Sequence, residues 1–208
     1  IPLVWLLFAA IRRGIGSLFH ASWWTHSMDP SFDLAKQGAI HAIVGTLEIG
    51  LITSIISVPI ALMTAIFLVE YARGTKIAKV ISFAVDVLTG VPSIVAALFV
   101  FAVVVTTLGG TQSAWASSLA LMILMVPTVL RSTEEMLKLV PDSLREASFA
   151  LGVSQWKTIM KVILPTSMTG ILTGIVLGLA RVMGETAPLI VLLQFNTELT
   201  FNPSTPNF

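Results

Sequence analysis

Two polar clusters interrupt a chain that is otherwise strongly apolar, and the spacing within each has a chemical consequence. Arg181 and Glu185 lie four residues apart inside the apolar run from Ile163 to Leu193, a separation that lets two side chains pair on one helix face. The arginine offers a planar fork of donors suited to tetrahedral oxyanions. The second cluster is Glu146-Ala147-Ser148, followed after three residues by Gly152 and, after nine more, by Val162-Ile163-Leu164-Pro165. Small residues beside a carboxylate let another protein's surface come close. Other chemistry has no carrier. There is no Gly-x-x-x-x-Gly-Lys-Ser/Thr and no Gly-Lys pair, so the phosphates of ATP find no cradle. The absence of cysteine excludes disulfides, thiolate metal sites and cysteine nucleophiles. His20, His26 and His41 lack metal-ligand spacing and read as interface residues. No cofactor is expected on this chain, and a net charge of +1 gives no reason to propose nucleic acid as a partner.

The elements that position these clusters follow from composition. Of 208 residues, 55% are hydrophobic and 11% charged, and the mean hydropathy is +0.92, which puts the chain in a lipid bilayer. Runs longer than about 18 apolar residues recur, and in hydrocarbon each can satisfy its backbone only as a helix. The expected fold is all-α, a polytopic helical membrane bundle. Complete spans are expected at Val44 to Val69, Val80 to Thr107, Ala114 to Leu130 and Ile163 to Leu193. Ile1 to Ile11 reads as the end of a truncated first helix. Further helices are expected beyond Phe208, giving about six spans in the intact protein. The stretch from Arg12 to Lys36, with Trp23, Trp24, Asp29 and Pro30, has the ring content of a membrane interface. Basic residues concentrate at Arg73, Lys76 and Lys79 and again at Arg131, Lys138, Arg145, Lys157 and Lys161. The positive-inside rule makes 70 to 79 and 131 to 162 cytoplasmic, and places Gly109-Gly110 and the tail from Asn196 outside.

In the last span, stepping about 100° per residue brings Gly170, Gly174, Gly178, Arg181, Glu185 and Pro188 within about 80° of arc. Such a glycine ridge admits a neighbouring helix, so the face carrying both charges is expected to be buried in protein. An unpaired charge at a helix centre costs about 2.5 to 3.5 kcal/mol. Two readings stand: an ion pair that locks helices together, or an arginine lining an anion route with Glu185 offsetting its charge. Asp86 reads chiefly as an interhelical hydrogen-bonding residue, and Glu48 as a headgroup-exposed one. Pro59 and Pro92 read as kinks that neighbouring helices tolerate.

The segment 131 to 162 reads as helix, break, helix: Asp142 caps the first piece, Gly152 ends it and Ser154 caps the second. Its spacing, Glu-Ala-Ser, three residues, Gly, nine residues, Val-x-Leu-Pro, resembles the EAA motif of type I ABC importer permeases, with Ser148 for the second Ala and Val162 for Ile. Three further segments resemble the phosphate-importer branch of that family: Ala180-Arg181-Val182-Met183-Gly184-Glu185-Thr186-Ala187-Pro188-Leu189, Gly90-Val91-Pro92-Ser93-Ile94-Val95 and Val69-Glu70-Tyr71-Ala72. The resemblance implies one permease domain over 1 to 208, truncated at both ends, with a coupling segment at 134 to 162 in which Glu146, Ala147, Ser148 and Gly152 form the ATPase-docking surface. It implies that Arg181 and Glu185 line the phosphate route. It also implies a homologous permease, an ATPase dimer carrying ATP and Mg, an external phosphate-binding protein and a bacterial inner-membrane location. The chain itself would not be an enzyme. Alternatives are another oxyanion as cargo (phosphonate, sulfate or molybdate), a proton-coupled secondary transporter working through Glu185, and a structural scaffold.

Overall fold

A computed structural model describes residues 2–28, 38–194 and 202–204; Asp29, Pro30, Lys36 and most of the tail from Asn196 lie outside them. The described chain is helical: α1 Pro2–Gly14, α2 Ala21–Thr25, α3 Ile40–Ile66, α4 Lys76–Thr89, α5 Ser93–Val100, α6 Ala114–Leu139, α7 Asp142–Ala150, α8 Gln155–Thr158, α9 Leu164–Met183 and α10 Ala187–Leu192. Wider turns, bonded i to i+5, continue three of them: Phe67–Tyr71 after α3, Phe101–Thr107 after α5 and Ile159–Ile163 between α8 and α9. Among the described residues, four helical stretches are long and apolar enough to cross a membrane: Pro2–Phe19, Ile40–Tyr71, Ala114–Leu139 and Gln155–Met183.

The core lies where α6 meets α3 and α9, around the fully buried Leu121, Met125, Leu130, Leu137, Ile159 and Ile163. Between the buried Ile49 and Ile66, the buried stripe on α3 is small: Gly50, Thr53, Ser57, Ala61 and Ala65. Small side chains at this spacing let two helices approach closely where lipid supplies no hydrophobic drive. Few directional bonds cross the α3–α6 seam. Ser118 donates to the Ile49 carbonyl at 3.5 Å, and the Ser54 hydroxyl lies 3.9 Å from Met125 Sδ. The buried hydroxyls of Thr53, Ser57 and Ser117 have no hydrogen-bond partner among the described residues.

Four expectations need correction. Val80 to Thr107 is not one straight span, because α4 and the stretch from Ser93 diverge by 103°. Pro92, extended at φ −61° and ψ 139°, has no N–H to give and forces Val91 out of helix. The third span does not stop at Leu130 but runs to Leu139, since Arg131, Glu134 and Lys138 pair along the helix at i,i+3 and i,i+4. The last membrane helix starts earlier, at Gln155, and ends at Met183 instead of continuing to Leu193. A proline ring crowds the carbonyl four residues back; α3 and α6 run on through Pro59 and Pro127, whereas ahead of Pro188 the chain leaves the helix at Gly184. The chain breaks at 184 to 186 and restarts with Pro188 in the first turn of α10. Finally, the first apolar helix extends past Ile11 to Gly14 and, with the turn Ser17–Phe19, is long and apolar enough to cross a membrane.

Candidate functional site

The Glu146 cluster sits on α7, a helix of nine residues set between two sharp breaks. Pro141, extended at ψ 138°, ends the preceding turn, so Asp142 occupies the first helical position and not the cap expected of it. At the other end Gly152 takes φ +74°, a conformation that costs other residues about 1 to 2 kcal/mol. There the N–H of Gly152 donates to Phe149 at 2.9 Å and that of Val153 to Ser148 at 3.2 Å, which closes the helix as a Schellman motif. Glu146 and Ala147 are exposed, next to the exposed apolar side chains of Leu144, Phe149 and Leu151. Ser148 faces the other way. It is buried, and its hydroxyl meets that of Thr158 on α8 at 2.8 Å. Of the four residues assigned to a docking surface, Glu146, Ala147 and Gly152 are open, whereas Ser148 holds α7 to its neighbour.

Sequence reasoning missed what holds α7 from beneath. Glu70, in the wide turn that ends α3, accepts from Arg145 on α7: Nη2 donates to Oε1 at 2.8 Å, with Nε at 3.3 Å from the same oxygen. The remaining arginine donors go to the Val140 carbonyl (2.6 Å), the Leu137 carbonyl (2.9 Å) and Asp142 Oδ1 (3.0 Å). Hydrogen bonding to Glu70 is the largest influence on the guanidinium and holds its pKa above the ordinary arginine range, so it stays a cation. Gln155 of α8 donates to the Glu70 backbone carbonyl at 2.8 Å. The available signal was an acidic residue alone at the end of an apolar run, paired with an arginine adjoining the motif. A second network ties α6 to α4: Arg131 reaches Glu134 Oε2 (2.6 Å), Asp86 Oδ1 (2.5 Å) and the Ser82 carbonyl (2.8 Å), and Lys138 closes on Glu134 at 2.7 Å. Asp86 therefore bonds between helices.

At the far end of α9, the i,i+4 pairing of Arg181 with Glu185 does not form. Arg181 is in the last helical turn, whereas Glu185 lies past the end, its N–H donating to Val182 at 3.2 Å. Neither side chain has a partner among the described residues, and Arg181 is exposed, not buried. The buried face of α9 is Ser167, Ile171, Gly174, Gly178 and Val182, which puts Arg181 at its rim. The glycines face α6 at very short range. A Cβ on Gly174 would sit on the Ser132 hydroxyl and 2.6 Å from its Cβ; one on Gly178 would lie 2.8 Å from Val129 Cγ2; one on Gly170 would overlap the Met136 thioether.

A helical bundle with an exposed nine-residue helix lodged between two spans is the setting in which comparison with known proteins becomes informative. The profile described as "binding-protein-dependent transport system inner membrane component" matches residues 57–203. The chain belongs to that family. Within the binding-protein-dependent permeases, it is similar to the phosphate transport system permease protein PstA 1 of Mycobacterium tuberculosis (strain CDC 1551 / Oshkosh), with 51% identity over 97% of this chain and 66% of the relative. It is also similar to PstA of Yersinia pestis, with 44% identity over 90% of this chain and 63% of that one, and to PstA of Pasteurella multocida, with 37% identity over 98% and 71%. The chain thus spans about two thirds of the length of these relatives. A solved structure of the MetNI methionine ABC transporter in inward facing conformations shares the fold, with a TM-score of 0.59 over 69% of this chain and 70% of that one, at 23% identity.

Proposed function

We propose that this chain is the PstA-type permease subunit of an ATP-driven phosphate importer in a bacterial inner membrane. It would line the translocation pathway with a homologous permease (PstC), dock through α7 on an ATPase dimer (PstB) that binds ATP and Mg, and receive inorganic phosphate from an external binding protein (PstS). The observation that carries the reading is Arg181, an unpaired guanidinium at the end of an apolar helix, beside the 184 to 186 break. An unpaired charge costs about 2.5 to 3.5 kcal/mol at the centre of a lipid-facing helix and less towards its end, so the position favours a polar surrounding. Facing a second permease across a watery pathway, the guanidinium offers parallel N–H donors to a tetrahedral anion, and Glu185 nearby limits how tightly the anion is held. The phosphate names of the relatives supply the cargo. Alternating access then follows from the ATP-bound dimer favouring one orientation of the docked helices over the other.

The test is uptake of radiolabelled phosphate at low micromolar concentration in cells lacking this subunit, complemented with wild type, Arg181→Gln or Glu146→Arg. The expected result is loss of uptake in both variants at normal membrane levels, with no competition from sulfate, molybdate or phosphonate. Wild-type uptake by Arg181→Gln removes the arginine from the pathway, and competition by another oxyanion changes the cargo.

A further inference from the structure

The three elements that must move together if α7 is pushed from below all end on one guanidinium. At its C-terminal end a helix leaves carbonyls without intrahelical partners, and Arg145 takes up those of Leu137 and Val140 at the end of α6. The same side chain bonds Asp142 in the first turn of its own helix and Glu70 at the end of α3. The pair is largely shielded from water, with side-chain exposures of 12% for Arg145 and 6% for Glu70. The other side-chain link between α7 and the end of α3 is Arg73 to Asp142, an exposed pair at 3.3 Å, a kind worth little. The Arg131 network runs between α4 and α6 without touching α7. Ser148 to Thr158 connects α7 to α8 and so to α9. Gln155 on α8 also donates to the Glu70 backbone carbonyl, so α7 reaches the end of α3 both by way of α8 and directly; the direct side-chain route into α3 and α6 passes through Glu70 and Arg145.

We propose that Glu70 and Arg145 are positioning residues that transmit displacement of the docking helix to the first long span, so that breaking the pair uncouples ATP hydrolysis from transport without preventing docking. The proposal rests on the permease reading above. A pair that served only to stabilise the fold would lower the amount of assembled complex. A transmitting pair lowers the number of anions moved per ATP. Glu70 is the better probe, since Glu70→Gln keeps the shape and a hydrogen-bonding group while removing the charge that ties the guanidinium to the end of α3.

The experiment reconstitutes the whole transporter, both permeases with the ATPase dimer, in vesicles and measures phosphate carried per ATP hydrolysed in the presence of the binding protein. Compared are wild type, Glu70→Gln, and the double variant Glu70→Cys with Arg145→Cys, before and after a short bifunctional thiol reagent; this chain has no cysteine of its own. The expected result is unchanged co-purification of the ATPase, a fall of about tenfold in phosphate per ATP for Glu70→Gln, and recovery of at least half the ratio on cross-linking the double variant. Wild-type stoichiometry in Glu70→Gln overturns the proposal. So does loss of assembly in Glu70→Gln, which makes the pair a folding element, or failure of the cross-link to restore the ratio. Wild-type vesicles that hydrolyse ATP but carry no phosphate overturn the cargo reading instead, and the same ratio is then read with the oxyanion that is carried.

Discussion

Replacing Gly174 by alanine adds a single methyl group at the closest approach of α9 to α6. The new Cβ would lie 2.6 Å from Ser132 Cβ, an atom fixed to the α6 backbone, so turning the serine side chain cannot relieve it. The helices must separate by about 1 Å, and overpacking of this kind costs about 1 to 3 kcal/mol. Alanine recovers about 0.5 to 1 kcal/mol of helix propensity relative to glycine. The expected net loss is therefore between about 0 and 2.5 kcal/mol, centred near about 1 kcal/mol, which is a factor of about 5 in the ratio of folded to unfolded protein. At Gly170 the methyl meets the far end of Met136, with that residue's own Cβ at an ordinary 3.4 Å; methionine adapts, so Gly170→Ala should cost less than half as much. The assay is unfolding of the assembled complex in mixed micelles by stepwise addition of a denaturing detergent, comparing midpoints for wild type and the two variants. Equal midpoints for Gly170→Ala and Gly174→Ala would refute the claim that backbone proximity, and not side-chain crowding, sets the α6–α9 distance.

Three further outcomes follow from local geometry. Gly152→Ala should destabilise the end of α7 by about 1 to 2 kcal/mol through its φ of +74° and lower ATPase co-purification, with Gly152→Asn closer to wild type; pull-down from solubilised membranes measures both. Ser148→Ala should cost about 1 kcal/mol and leave Glu146-dependent docking intact, because the Ser148 hydroxyl faces Thr158; normal ATPase recovery with a lowered unfolding midpoint is the expected pattern. Pro188→Ala should let α9 run on through Gly184, bringing the side chains of Arg181 and Glu185 onto one face; the distance between spin labels placed at 177 and 190 should approach the roughly 1.5 Å per residue of continuous helix.

Much of the bundle was legible because lipid leaves the backbone so little choice. Apolar runs had to be helices, and the Gly170, Gly174 and Gly178 spacing pointed to a close helix neighbour. Breaks were legible only where their cause is local. Gly152 follows from its role at a helix end, whereas the bend before α5 was read only as a tolerated kink at Pro92 and is a turn of 103°. The break at 184 to 186 has an equally local cause, the Pro188 ring, but the apolar character of Leu189 to Leu193 masked it. Charge was read least well. Arg131, Glu134 and Lys138 marked the end of a span by composition, whereas their mutual pairing extends it. Glu70 and Arg145 are 75 positions apart, and no pattern along the chain joins residues that only packing brings together.

The seam between α3 and α6 has a mechanical consequence. Among the described residues the buried hydroxyls of Thr53, Ser57 and Ser117 have no hydrogen-bond partner, and two long, weak polar contacts span the join. A slip of a fraction of a turn along it would exchange one set of dispersion contacts for another and break almost nothing with a preferred direction, as in sliding domain motions. The joint is low in friction as well as tight. With α7 tied to the end of α3 through a largely shielded cation and the α3–α6 faces left smooth, a push on α7, if it is the docking helix proposed above, would meet stiffness where force enters and slack where helices need to shift.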